Sequence, residues 1–144
     1  ARFAMKRELL WMPVFGLYAW RTGAVALNRR PRYGAAEELV RAFADVPGQI
    51  VIYPQGTRVA PGVEAPYRRG ITRMAEAPGR RIVPVATNAG LFWRKGGLFH
   101  GPGVAVIEFL DPVSGDLPRT ALMAELTARI ETASDRLTGE AAAS

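Results

Sequence analysis

Short apolar runs alternate with helical segments along this chain, and that alternation constrains its fold most. Strand patterns fall at residues 1–5, Ala24 to Leu27, Gln49 to Tyr53, Arg81 to Thr87 and Val104 to Phe109. Helical patterns fall at Leu9 to Trp20, Glu37 to Ala44, Ile71 to Glu76 and Pro118 to Leu137. The last is the clearest, because Leu122, Leu126, Ile130, Ala133 and Leu137 recur at helical spacing and form one apolar stripe for a core. Alternating strands and helices imply an α/β layer structure. The expected organisation is one domain over residues 1–138 with a flexible tail over 139–144. The strands at 24–27, 81–87 and 104–109 are expected to be buried.

Residues 9–20 are almost wholly apolar yet too short to span a bilayer, which takes roughly 20 residues. Pro13 suits the start of a helix or a kink. Two readings stay open for this segment: a buried core helix, or a membrane-contacting surface carrying Trp11 and Trp20 and flanked by Lys6, Arg7 and Arg21.

The charge is uneven. Residues 1–72 hold eleven basic and five acidic side chains, while the remainder is balanced at eight of each. A cationic first half calls for an anionic partner: a phosphate ligand, an anionic lipid surface or nucleic acid. No nucleic-acid-binding motif is present, so nucleic acid is not expected. There is no cysteine, which removes disulfides and thiol nucleophiles, and a lone histidine, His100, makes a transition-metal site unexpected.

The most informative stretch is Ile50-Val51-Ile52-Tyr53-Pro54-Gln55-Gly56-Thr57-Arg58. A hydrophobic strand runs into a turn bearing a glycine, a hydroxyl and a guanidinium. Gly56 lets the backbone approach a ligand, Thr57 adds a short donor, and Arg58 offers a planar fork that matches phosphate. The alternative is an ordinary turn with a solvated arginine. Asn28-Arg29-Arg30 repeats the design at the end of another apolar strand. A long Pro- and Gly-rich loop, Pro54 to Arg69, follows the first of these turns, and long loops in compact domains are often functional.

Tyr53-Pro54-Gln55-Gly56-Thr57-Arg58 resembles the [F/Y]-P-E-G-T-R block of the glycerolipid acyltransferases, in particular the 1-acyl-sn-glycerol-3-phosphate acyltransferases. Other segments agree in order. Lys6-Arg7-Glu8-Leu9 resembles the family's K-x-E-L segment, and Gly23 to Arg29 its G-x-x-x-[I/V/L]-[D/N]-R block. Pro66-Tyr67-Arg68-Arg69-Gly70 resembles P-[F/Y]-[K/R]-x-G, Val83-Pro84-Val85 resembles [V/I]-P-[V/I], and Asn88 to Trp93 resembles N-S-G-x-x-W.

The resemblance implies an α/β fold with a mixed sheet flanked by helices. It also implies transfer of a fatty acyl group from acyl-CoA or acyl carrier protein to the sn-2 hydroxyl of 1-acylglycerol 3-phosphate. Lys6, Asn28, Arg29, Gln55, Gly56, Thr57, Arg58 and Pro84 are the implied substrate-binding positions. No cofactor or metal is implied. The expected partners are the lysophospholipid, the acyl thioester, an anionic membrane surface and possible docking of acyl carrier protein. The expected location is the cytoplasmic face of a bacterial inner membrane. Alternatives are an acyltransferase for another lyso-lipid such as lyso-ornithine lipid, for glycerol 3-phosphate, or a non-catalytic basic module that binds membrane surfaces.

Two departures from the family pattern stand out. The His-x-x-x-x-Asp block that supplies the catalytic base is not among the 144 residues, and Ala105 stands five positions after His100. The chain opens at Ala1 in a strand pattern, so it is expected to be a fragment with that block upstream. Gln55 stands where glutamate is usual, keeping an acceptor oxygen but losing the charge.

Overall fold

A computed structural model describes residues 2–6, 10–27, 40, 48–57, 59–75, 81–93 and 101–143. The chain divides into two compact units, Ala1–Pro54 with Arg69–Ala77, and Gln55–Arg68 with Pro78–Ser144.

The first unit is built on three parallel strands: β1 (Arg2–Lys6), β2 (Val25–Leu27) and β3 (Ile50–Val51), in the order β2-β1-β3. Ala4, Met5 and Lys6 pair with Val25, Ala26 and Leu27, and Arg2 and Phe3 pair with Ile50 and Val51. Helix α1 (Pro13–Arg21) connects β1 to β2, as a parallel pair requires. It begins at the proline, whose missing N–H costs nothing in the first helical turn. It ends where Gly23 takes φ 66°, a left-handed conformation that suits glycine. There Gly23 N–H donates to Trp20 O (3.2 Å) and Ala24 N–H to Ala19 O (3.0 Å), which satisfies carbonyls that the helix end would otherwise leave open. Helix α2 (Gly70–Ala75) completes the unit, with the buried Thr72 hydroxyl donating to Arg69 O at 2.9 Å.

The buried-core reading of the apolar segment does not hold for α1. Among its described side chains only Gly16 and Ala19 are buried, while Val14, Leu17, Tyr18 and Trp20 are exposed. The helix expected over Glu37 to Ala44 lies outside the described residues apart from Val40, which is helical.

The second unit packs one long helix, α3 (Arg119–Ala142), on a two-stranded antiparallel sheet of β4 (Val85–Thr87) and β5 (Ile107–Phe109). The predicted stripe is the packing face: Leu122, Leu126, Ala133 and Leu137 are buried. Ala86, fully buried on β4, meets Ala133 and Leu137, with Leu110 packed alongside. Small residues on both sides let helix and strand approach closely, and close packing maximises dispersion contacts. The helix is pinned at the sheet end by Arg136, which bonds Glu108 on β5 and Glu140 one turn on, the latter at 2.8 Å.

Three expectations need correction here. The sheet is not buried on both faces: Val85, Ile107 and Phe109 are exposed, because only one face of the β4–β5 pair lies against α3. The strand expected over 81–87 is interrupted, because Pro84 has no N–H to give the ladder. Ile82 forms an isolated bridge with Val113, and regular pairing resumes at Val85. The helix runs through Ala142 and takes in most of the segment expected to be a flexible tail; alanines and the Arg136–Glu140 pair favour its continuation.

Candidate functional site

All three strands of the first unit run in one direction, so their carboxyl ends lie along one edge of the sheet. Lys6 ends β1 and pairs with Leu27, the residue before Asn28. On the other side of β1, Val51 pairs with Phe3, and Ile52, Tyr53 and Pro54 carry the chain on from there. The Lys6 block, the Asn28-Arg29 block and the Tyr53–Arg58 block therefore each follow the carboxyl end of one of three adjacent parallel strands. β1 is central: the chain leaves it for β2 on one side and later returns to β3 on the other. Such a reversal of strand order opens a crevice at the carboxyl ends, where open α/β sheets bind ligands.

The sequence-predicted residues fall unequally within this frame. Lys6 is placed by its backbone on β1. Asn28, Arg29 and Arg58 lie outside the described residues. Gln55, Gly56 and Thr57 form a turn that starts at Pro54; Gln55 and Gly56 are half-buried and Thr57 is exposed. Gly56 has φ 64°, so this turn needs a residue without a β-carbon. Pro84 is buried next to β4, in the second unit, and its carbonyl accepts from Leu110 N–H at 2.9 Å. That bond gives it a defined part in the β4–β5 ladder.

The loop that follows the turn is anchored at two points. The Tyr67 hydroxyl donates to Glu131 Oε1 on α3 at 2.6 Å. Burial first, and then the bond to Glu131, raise the Tyr67 pKa far above the ordinary tyrosine range, so the hydroxyl stays a donor. Further back, Pro61 lies over Gly90, where an added Cβ would sit 3.3 Å from the proline Cγ. The Pro66–Gly70 block thus carries a structural tether on its aromatic residue, a role its sequence did not single out.

Asn88 is likewise structural. It is 2% exposed, its Oδ1 accepts from Val106 N–H at 2.7 Å, and its Nδ2 donates to Val104 O at 3.3 Å. Its amide stands in for a strand peptide after β4 has ended, which is why β5 begins at Ile107 and not at the expected Val104. Beside it, the Thr87 hydroxyl donates to Val106 O (2.8 Å) and accepts from Ala89 N–H (3.1 Å), turning the chain into the short 3-10 helix Ala89–Leu91. A buried asparagine directly after a β-branched run was the available signal for this bracket.

A parallel sheet with a helix crossing between its first two strands defines an α/β domain. The comparisons give the family. A family model described as Acyltransferase matches residues 1–88, and the chain belongs to that family. A 1-acyl-sn-glycerol-3-phosphate acyltransferase of Pseudomonas aeruginosa is 33% identical over 132 residues, covering 88% of this chain and 51% of the relative. The protein of the same name from Escherichia coli K12 is 31% identical over 111 residues, covering 75% of this chain and 45% of the relative. The crystal structure of the 1-acyl-sn-glycerophosphate (LPA) acyltransferase PlsC from Thermotoga maritima matches with a TM-score of 0.74 at 21% identity. That match covers 95% of this chain and 56% of that one, and establishes the fold. The chain spans about half the length of the curated relatives it matches.

Proposed function

We propose that this chain is the acceptor-holding part of an enzyme that transfers a fatty acyl group to the sn-2 hydroxyl of 1-acylglycerol 3-phosphate, making phosphatidic acid. The observation that supports this most is the alignment of three motif-bearing segments with the carboxyl ends of β1, β2 and β3 at a reversal of strand order. In this reading Arg29 and Arg58, with Lys6, hold the acceptor's phosphate monoester. The Gly56 turn brings backbone N–H groups toward the same anion. Anchoring the phosphate orients the hydroxyl for attack, a contribution separate from proton removal. Gln55 supplies a neutral acceptor oxygen to a glycerol hydroxyl or a nearby donor.

The donor in this proposal is a thioester, acyl-CoA or acyl carrier protein. With no thiol in the chain, the hydroxyl attacks the thioester carbonyl directly and the thiol leaves, with no resident metal or cofactor taking part. The 144 residues contain no His-x-x-x-x-Asp block to remove the hydroxyl proton. The chain alone is therefore expected to show no turnover. The proposed location is the cytoplasmic face of a bacterial inner membrane.

The test is Arg58→Ala in the intact enzyme. The expected result is a rise of about tenfold or more in the KM for lysophosphatidate with a fall in turnover, consistent with loss of a charge-assisted contact. Acceptors lacking a phosphate monoester should be much less affected. Unchanged kinetics toward lysophosphatidate would reject the assignment.

A further inference from the structure

Helix α1 presents the reverse of a core-packing helix. Among its described side chains the buried ones are small, Gly16 and Ala19, and the bulky Val14, Leu17, Tyr18 and Trp20 face solvent. Trp11, in the turn before it, is 87% exposed, Val14 84%, Tyr18 67% and Trp20 75%. The small buried face reflects close contact: a Cβ at Gly16 would lie 2.0 Å from the Leu10 carbonyl oxygen. At the helical repeat of about 100° per residue, Trp20, Leu17, Arg21, Val14 and Tyr18 follow one another around an arc of roughly 160°. That arc carries one charge, the exposed Arg21.

We propose that this arc is a docking surface for an anionic lipid bilayer, seating α1 flat in the headgroup layer. The inference deepens the bilayer placement proposed above but does not depend on acyl transfer. Charge favours lipid as the occupant: from residue 9 to residue 36 there is no acidic side chain, while Arg21, Arg29, Arg30 and Arg32 all fall there. Side-chain chemistry favours it too. Trp20 and Tyr18 bound the arc and Trp11 precedes it, and such amphipathic rings settle at the boundary between headgroups and acyl chains. Length fixes the orientation. Nine residues are too few to cross a bilayer, and among the described residues no helix is long and apolar enough to do so. Trp11 precedes the first turn of α1 and Trp20 lies in its last, so only an in-plane helix brings both to the same depth.

The experiment uses the chain carrying Trp93→Phe, with either Trp11→Phe or Trp20→Phe added to leave one reporter. Vesicles of phosphatidylcholine with phosphatidylglycerol are compared with phosphatidylcholine alone, and depth is read from quenching by lipids brominated at known positions. Both reporters are expected to shift to the blue and to be quenched at similar, shallow depth. The double variant Val14→Ser, Leu17→Ser should lower the partition coefficient about tenfold. Arg21→Gln should lower it about fivefold on anionic vesicles and little on neutral ones. Because these side chains are exposed, circular dichroism should show the helix retained.

One reporter deep with the other in water, or binding indifferent to Val14 and Leu17, would overturn the proposal. So would absence of vesicle binding, whether or not the chain forms a dimer that Leu17→Ser dissociates. Vesicle binding as described, in an intact protein that acylates no lysophosphatidate, would remove the functional proposal and leave this one standing.

Discussion

The Tyr67–Glu131 bond ties the motif-bearing loop to α3 through a single pair of atoms, so its contribution can be isolated. Tyr67→Phe removes the hydroxyl and keeps the ring. The lost bond is short, 2.6 Å, and runs to a carboxylate. Bonds to charged groups contribute about 1.5–3 kcal/mol, against about 1 kcal/mol for neutral ones. Glu131 is only partly buried, so water replaces some of what it loses, and the expected destabilisation is at the lower end, about 1.5 kcal/mol. Glu131→Gln keeps an acceptor but not the charge and should cost roughly half as much. In a double-mutant cycle the two changes should couple, because they delete one interaction.

The pH dependence has a definite sign. The folded-state pKa of Tyr67 is raised above its ordinary value of 10.0, by burial first and then by Glu131. Its contribution is therefore complete below about pH 10 and is lost as pH rises toward the folded-state value. Urea midpoints measured from pH 8 to pH 11 should show the parent losing stability at the alkaline end more steeply than Tyr67→Phe, so that the two curves converge. A variant within a few tenths of a kcal/mol of the parent at pH 8, or curves that stay parallel above pH 10, would refute the reasoning.

Other positions make further predictions. Asn88→Ala leaves Val106 N–H and Val104 O without their partner and should destabilise by about 2–3 kcal/mol, with faster amide exchange at Val106 as the local readout. Leu126→Ala, at the centre of the α3 stripe, should lower stability by roughly 2–5 kcal/mol in urea unfolding. Gly56→Ala forces a β-carbon into the left-handed region and should cost about 1–2 kcal/mol. In the intact enzyme it should also raise the acceptor KM, an effect that Gly62→Ala, made as a comparison at another positive-φ glycine, should not reproduce.

The sequence made the order of elements legible because the strand patterns are short apolar runs, several of them next to glycine or proline, set between helical segments. The stripe on α3 was legible for a similar reason, since four of its five members need only helical periodicity to reach the core. The errors came where one residue overrides a local pattern. Pro84 interrupts a run that reads as continuous strand, and the Asn88 side chain replaces ladder bonds that Val104 and Val106 would otherwise give a neighbour. The burial of α1 stayed open because hydrophobicity alone does not say which face is covered, and among its described side chains only Gly16 and Ala19 are buried. For the site, the strand patterns anticipated that Lys6 and the Tyr53 turn would come at the ends of β1 and β3, while Asn28, Arg29 and Arg58 lie outside the described residues. The tether at Tyr67 was invisible, because its partner lies 64 residues away on another element.

The central place of β1 bears on how the protein acquires its structure during synthesis. Among the described residues, β2 and β3 bond to β1 and not to each other, so the earliest-made of these three strands is their common template. Its partnership with β2 closes after about twenty residues, but that with β3 needs some forty-eight, as Arg2 waits for Ile50. Closing the longer loop adds little entropy beyond the shorter one, since that cost grows only with the logarithm of length. What lengthens is the interval in which one edge of β1 is open. At roughly 5–20 residues per second the ribosome takes a few seconds to deliver β3. During that time a strand with unpaired backbone groups is exposed to any neighbouring chain.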